Sequence, residues 1–205
     1  MMRKMMIGAL VILVMLTVNL CAGMAESGTI PSIRETIQTE TEVQPFSFRG
    51  GIQWNMDMEQ VRLLENSPME ERKSTEWSIM INSEPVTVSR FSADLVFMFY
   101  QNQLKMITYE FQSGTTTLNF QYLLGALSSV YGNSTKTEGA VIKGMMDRIY
   151  PDRYRGDWIR EGHMWTAKDG THVFLYYFST NAYAILYTSP ELTVQSGGGY
   201  DVNGL

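Results

Sequence analysis

The sequence predicts an α+β fold: an antiparallel meandering sheet with helices packed on one face. Three features lead there. Apolar residues recur at helical spacing in two punctuated stretches, one starting after Trp54 and one ending at Gly132. Between and after them come runs in which aromatic and β-branched residues take alternate positions. The order is helix, strands, helix, strands, without the strand–helix–strand alternation that a parallel sheet requires.

The chain opens with Arg3 and Lys4, an uncharged apolar run from Met5 to Leu20, and the small residues Gly23 and Ala25 ahead of the first acid, Glu26. This pattern predicts a secretory leader over residues 1–25, cut after Ala25. The apolar run is shorter than the roughly 20 residues that cross a bilayer, so a retained anchor is the weaker reading. A third reading makes Cys21 the lipidated first residue of a lipoprotein, although Leu20 is bulky where that processing favours a small side chain. The expected address is secreted or extracytoplasmic, with membrane attachment only through an uncleaved leader or a lipidated Cys21. Residues 26–44 read as a flexible lead-in, 45–192 as one α+β domain, and 193–205 as a Gly-rich tail.

Within the domain, Asp57 is placed to cap the first helix, with Gln60 three residues on in a capping-box pattern. Met56 and Val61 fit a hydrophobic staple; Met58, Val61 and Leu64 share a face; Asn66-Ser67-Pro68 ends the helix. Strands are expected at Ser78–Ile81 and Val86–Phe91 around the turn 82–85. A hairpin is expected from Leu95–Tyr100 and Leu104–Phe111 around Gln101-Asn102-Gln103. The second helix carries Phe120, Leu123, Leu124 and Leu127, with Thr116 or Thr117 at its start and Gly132 at its end. A weaker helical stripe runs from Val141 to Ile149. Strands at Met164–Lys168, Thr171–Phe178 and Tyr183–Thr188 close the domain, the first two joined by Asp169-Gly170, a pair that tolerates positive φ.

Composition bounds the function. At 205 residues and 23.3 kDa there is room for one ordinary domain, and 44% hydrophobic with 18% charged residues is a globular balance. A net charge of -5 and a pI near 5.1 argue against neutralising nucleic-acid phosphates. Loss of the leader removes two basic residues and no acid, so the mature chain is more acidic still. One cysteine and two histidines exclude a disulfide framework and leave too few soft ligands for structural zinc.

The run Asn55-Met56-Asp57-Met58-Glu59-Gln60-Val61, followed by Asn66-Ser67-Pro68, resembles the Gly-Met-Thr-x-x-Gln-Val…Gly-x-Pro signature of the small outer-membrane assembly lipoprotein family (SmpA/OmlA). That family is similar in fold to the β-lactamase-inhibitor-like proteins. The resemblance implies a helical segment packed on an antiparallel sheet, sometimes in tandem, here with halves of about 45–113 and 114–192. It covers residues 55–68 only, departs from the signature at Asn55 and Asn66 where the family has glycine, and implies an interaction role with no catalytic residues.

His163 and His172 bracket the Asp169-Gly170 turn and are placed to face each other across a hairpin, but two histidines do not make a metal site, and neither metal nor cofactor is expected. No Gly-x-Ser-x-Gly elbow is present, and no cysteine stands beside a histidine. The richest contact pattern is Tyr150, Arg153, Tyr154, Arg155, Trp158 and Arg160, where aromatics interleave with cations. With Trp54, and with Tyr176 and Tyr183 as exposed strand aromatics, these residues form the expected contact surface. The expected function is that of an exported, non-catalytic binding protein whose partner is a protein or envelope component. The alternative is an extracytoplasmic hydrolase using Asp or Glu, aided by His163 or His172.

Overall fold

The structure is a computed structural model that describes residues 46–73, 76–111, 117–137, 159–194 and 200–202. All belong to one compact unit, Thr41–Leu205. The leader, the lead-in, the helical stripe at 141–149 and contact candidates Tyr150, Arg153, Tyr154, Arg155 and Trp158 lie outside the described residues.

Helix α1 (Met58–Leu64) starts as its sequence dictates. The Asp57 carboxylate accepts from the Gln60 backbone N–H at 2.8 Å, and the Gln60 side chain accepts from the Asp57 N–H at 2.9 Å. Two amides that lack helical partners are thereby satisfied, each side of the box contributing about 1 kcal/mol. Just upstream, Asn55 is left-handed at φ 66°; Asn66 is not among the left-handed residues.

Nine strands form one antiparallel sheet: β1 (Met69–Lys73), β2 (Trp77–Asn82), β3 (Val86–Val88), β4 (Phe91–Tyr100), β5 (Gln103–Phe111), β6 (Thr135–Lys136), β7 (Ile159–Thr166), β8 (His172–Phe178) and β9 (Tyr183–Thr188). Helix α2 (Thr117–Tyr131) stands between β5 and β6, and β10 (Leu192–Val194) pairs with β11 (Tyr200–Val202) inside the stretch expected to be a tail. The sheet order is β1-β2-β4-β5-β9-β8-β7-β6, with β3 beside β4. It is therefore not a single meander. Each half runs back and forth on its own, and the two last strands, β5 and β9, pair with each other from Met106↔Thr188 to Phe111↔Tyr183.

Several strand assignments change: β6 was not expected, and the strand expected over Met164–Lys168 runs instead from Ile159 to Thr166, taking in Arg160 of the expected contact loop. Strand β1 has no apolar alternation to reveal it: Glu70, Glu71, Arg72 and Lys73 are exposed at the sheet edge, where charge discourages pairing with other chains. The run expected over Val86–Phe91 breaks at Ser89, whose φ of 58° turns the chain so that β3 folds back on the start of β4. The β4–β5 hairpin forms as expected, with Gln101 and Asn102 both left-handed, the two-residue turn that suits strand twist. Asp169-Gly170 does not make that turn. Only Gly170 is left-handed, and the loop closes through Gly170 N–H to Ala167 O at 3.0 Å and Ala167 N–H to Thr171 O at 2.8 Å. Asn181 occupies the same place between β8 and β9, with the matching bonds from Asn181 N–H to Phe178 O and from Phe178 N–H to Ala182 O.

Both sides of the central strands are buried. Val96, Met98, Met106, Ala184, Leu186, Phe174 and Tyr176 belong to one core that spreads from Trp77 in β2 to Phe178 in β8. The alternate side chains divide between two others. Leu95, Phe97, Phe99 and Ile107 pack with Met58 and Val61 of α1, and Val173, Leu175 and Ile185 pack with Phe120, Leu123 and Leu127 of α2. Tyr176 and Tyr183, expected on the surface, are 0% and 1% exposed. Alternation by two cannot distinguish a solvated side from a covered one when both sides carry large apolar groups.

The ladder is interrupted twice. Between Met98↔Met106 and Phe99↔Leu104 one residue of β5, Lys105, has no partner; between Ile159↔Phe178 and Glu161↔Tyr177 one residue of β7, Arg160, has none. Such bulges re-aim a side chain. The Lys105 ammonium turns into the protein, donating to Asn55 Oδ1 at 2.6 Å and to Glu191, with its side chain 2% exposed.

Candidate functional site

Of the contact residues read from the sequence, Trp54 and Arg160 are described, and the fold does not bring them together. Trp54 is half-buried, stacked on Phe46 with centroids 4.9 Å apart, and its indole N–H donates to Thr171 Oγ1 at 2.9 Å, just ahead of β8. Arg160 sits at the other end of that strand. Its guanidinium donates to Asn181 Oδ1 at 3.1 Å and Ser179 O at 2.8 Å, and lies 5.8 Å from the Tyr177 ring centroid. Trp54 stabilises the interior of its region, and Arg160 holds a turn.

The two histidines do not face each other. His172 pairs with Thr166 and His163 with Leu175, an odd number of residues apart along β8, so they point to opposite sides of the sheet. Burial holds the His172 imidazole below its ordinary pKa of 6.5, and its Nδ1 lies 3.1 Å from Thr166 Oγ1.

His163 has the more organised surroundings. Its Nδ1 lies 2.9 Å from Ser134 Oγ and its Nε2 lies 2.9 Å from a Glu161 carboxylate oxygen, with the residue only 6% exposed. The tautomer that satisfies both contacts carries the proton on Nε2, so Ser134 donates to Nδ1 and the ring donates to Glu161. The local sequence explains the placement. Gly132, left-handed at φ 87°, ends α2. The Trp165 indole N–H donates to its carbonyl at 2.9 Å, tying the helix end to β7. Strand β6 then pairs with β7 through Thr135↔Met164 and Lys136↔His163. Gly162 permits the close approach, since a Cβ there would sit 2.5 Å from the Thr137 carbonyl oxygen. Beside this cluster is a cavity of about 610 Å³ lined, among the described residues, by Lys136, Thr137, Ile159, Arg160, Glu161 and Gly162. No sequence signal pointed to Ser134, which lies 29 residues from His163 with no motif linking them.

A second feature is the outer side of α2. The helix has no charged residue over its 15 positions. Its exposed side presents Leu118 at 77% exposure, Val130 at 71% and Tyr122 at 44%, interspersed with Gly125 and Ala126. A solvated helix face ordinarily carries charge. Tyr122 is steadied by the β3–β4 turn, its hydroxyl 3.3 Å from Ser89 Oγ and its ring centroid 4.5 Å from the Arg90 guanidinium carbon. Compared with family models, with curated proteins and with solved structures, the chain matches none.

Proposed function

We propose that this chain is an exported binding protein that acts outside the cytoplasm and engages a protein of the cell envelope through the outer side of α2. The observation that carries this reading is the uncharged, exposed apolar surface formed by Leu118, Tyr122 and Val130. Exposed apolar side chains on a helix that carries no charge are a common mark of protein contact. The leader pattern of residues 1–25 supports the address. The capping signature at 55–68 supports the resemblance to the outer-membrane assembly lipoproteins, and with it an assembly or scaffold role. Two helix-plus-sheet repeats with both helices over one side of the sheet are part of the same reading. They are supported by the matching order of elements in each half and by the β5–β9 pairing through equivalent last strands.

The test places a photo-crosslinking residue at position 122 and, as a control, at Glu71 on the charged edge strand, in cells that export the protein. A discrete adduct from position 122, absent from position 71 and lost on Leu118→Asp with Val130→Asp, is the expected result. No adduct from position 122, or an adduct unaffected by the two aspartates, overturns the reading.

A further inference from the structure

We infer that Ser134 is an activated nucleophile, with His163 as its base and Glu161 as the residue that positions the imidazole, and that it takes small carboxylic esters as substrate. The inference goes beyond the binding reading and rests on none of the residues of α2's outer side. What carries it is the unbroken Ser134–His163–Glu161 line, with both contacts at 2.9 Å and the ring buried, in the hydrogen-bond polarity that makes a serine hydroxyl nucleophilic. The ring is used with Nδ1 toward the serine and Nε2 toward the carboxylate. Either nitrogen serves, because the roles are set by geometry. Phe120 and Trp165 both neighbour the imidazole, at centroid distances of 6.2 Å each. Ser134 lies on a partly exposed loop between Asn133 and Thr135, both exposed, so an ester can reach it. Lys136 is the cross-strand partner of His163 and, with Arg160 and Glu161, lines the cavity.

The step balances on these groups. Ser134 Oγ attacks the ester carbonyl carbon as its proton passes to His163 Nδ1. The negative oxygen that forms is stabilised by the Lys136 ammonium. Collapse breaks the bond to the leaving alcohol, which takes the proton from Nδ1, and leaves an acyl ester on Ser134. Water, deprotonated by the same nitrogen, then releases the carboxylic acid and restores the serine.

The experiment uses the exported chain with a fluorophosphonate probe, which phosphonylates activated serines, and p-nitrophenyl acetate as the ester. One probe per chain at Ser134 is expected, with none in Ser134→Ala and labelling about a hundredfold slower in His163→Ala. Glu161→Gln should slow labelling and lower kcat for p-nitrophenyl acetate with KM little changed, because an amide no longer stabilises the imidazolium that forms as Ser134 attacks. A merely structural Glu161 would leave kcat in place in a folded variant. If His163→Ala fails to fold, Ser134→Cys in a Cys21→Ser background keeps the question open to measurement, since its thiol is then the only one in the chain. Its reaction with iodoacetamide should titrate about one unit or more below the ordinary value of 8.5. No labelling of the wild-type chain, labelling that survives Ser134→Ala, or a thiol at 134 with an ordinary pKa overturns the inference, and none of these results bears on crosslinking at position 122.

Discussion

The two bulges in the sheet use one device for unequal purposes. Each drops a cation out of the ladder, Lys105 from β5 and Arg160 from β7, and each cation then fastens a neighbouring segment. Lys105 is buried and joins two distant segments, Asn55 ahead of α1 and Glu191 after β9; the Ser189 N–H adds a bond to the Lys105 carbonyl at 2.9 Å. Arg160 is exposed and fastens only the adjoining turn, through Asn181 and Ser179 O. Burial makes the difference. An ammonium taken out of water must be paired, and removing its partner leaves an uncompensated charge. A guanidinium at the surface keeps its hydration, and its contacts contribute little net.

The largest effect that separates the two should come from Glu191→Ala, which strands the Lys105 charge with Asn55 as its remaining acceptor. We expect a loss of about 2 to 3 kcal/mol in urea unfolding, below the full buried-pair cost because Glu191 is half exposed. The deficit should depend on pH. The hydrogen bond from Lys105, and then that from Asn55, holds the Glu191 carboxyl below its ordinary 4.5. Its stabilisation is thus complete above 4.5 and fades as pH falls through the lower folded value, so variant and wild type should converge in acid. Convergence at neutral pH would mean that Glu191 contributes nothing to holding Lys105.

Next in size is Lys105→Met, which removes the charge and retains most of the stem's volume. A loss of about 1 kcal/mol is expected, and Lys105→Met with Glu191→Ala should be no worse than Glu191→Ala alone. Strict additivity of the two substitutions would show that the pair is uncoupled. The smallest effect belongs to Arg160→Ala: about 0.5 kcal/mol or less in global stability, with faster amide exchange confined to the turn at 178–182. A global loss as large as that of Glu191→Ala would erase the distinction between the two bulges.

Legibility followed the range of the interaction. The α1 cap, the Gly132 stop of α2 and the hairpin at 101–103 were readable because each depends on residues within one turn of chain, although the structure pairs Gln103 with Tyr100 and shortens that turn to Gln101-Asn102. Strand β1 was not, since an edge strand is stabilised by its neighbour and carries charge where alternation would have revealed it. Tyr176 and Tyr183 read as surface groups in the sequence because alternation says which side they occupy and not what covers it. Of the candidate site, the sequence shows His163 as a residue type and offers His172 as its partner. Only the register shows that these two point to opposite sides and that Ser134 is the residue within reach.

The sequence by itself determined where α1 begins and ends, where α2 stops, where some hairpins turn and which residues alternate, because those preferences are local and sum within a few positions. Tertiary structure alone decided that β5 meets β9, that Lys105 reaches a carboxylate 86 residues away, and that a serine, an imidazole and a carboxylate form one line. Such contacts form only after distant segments have packed, and their energies depend on burial and distance, which no short window of residues contains.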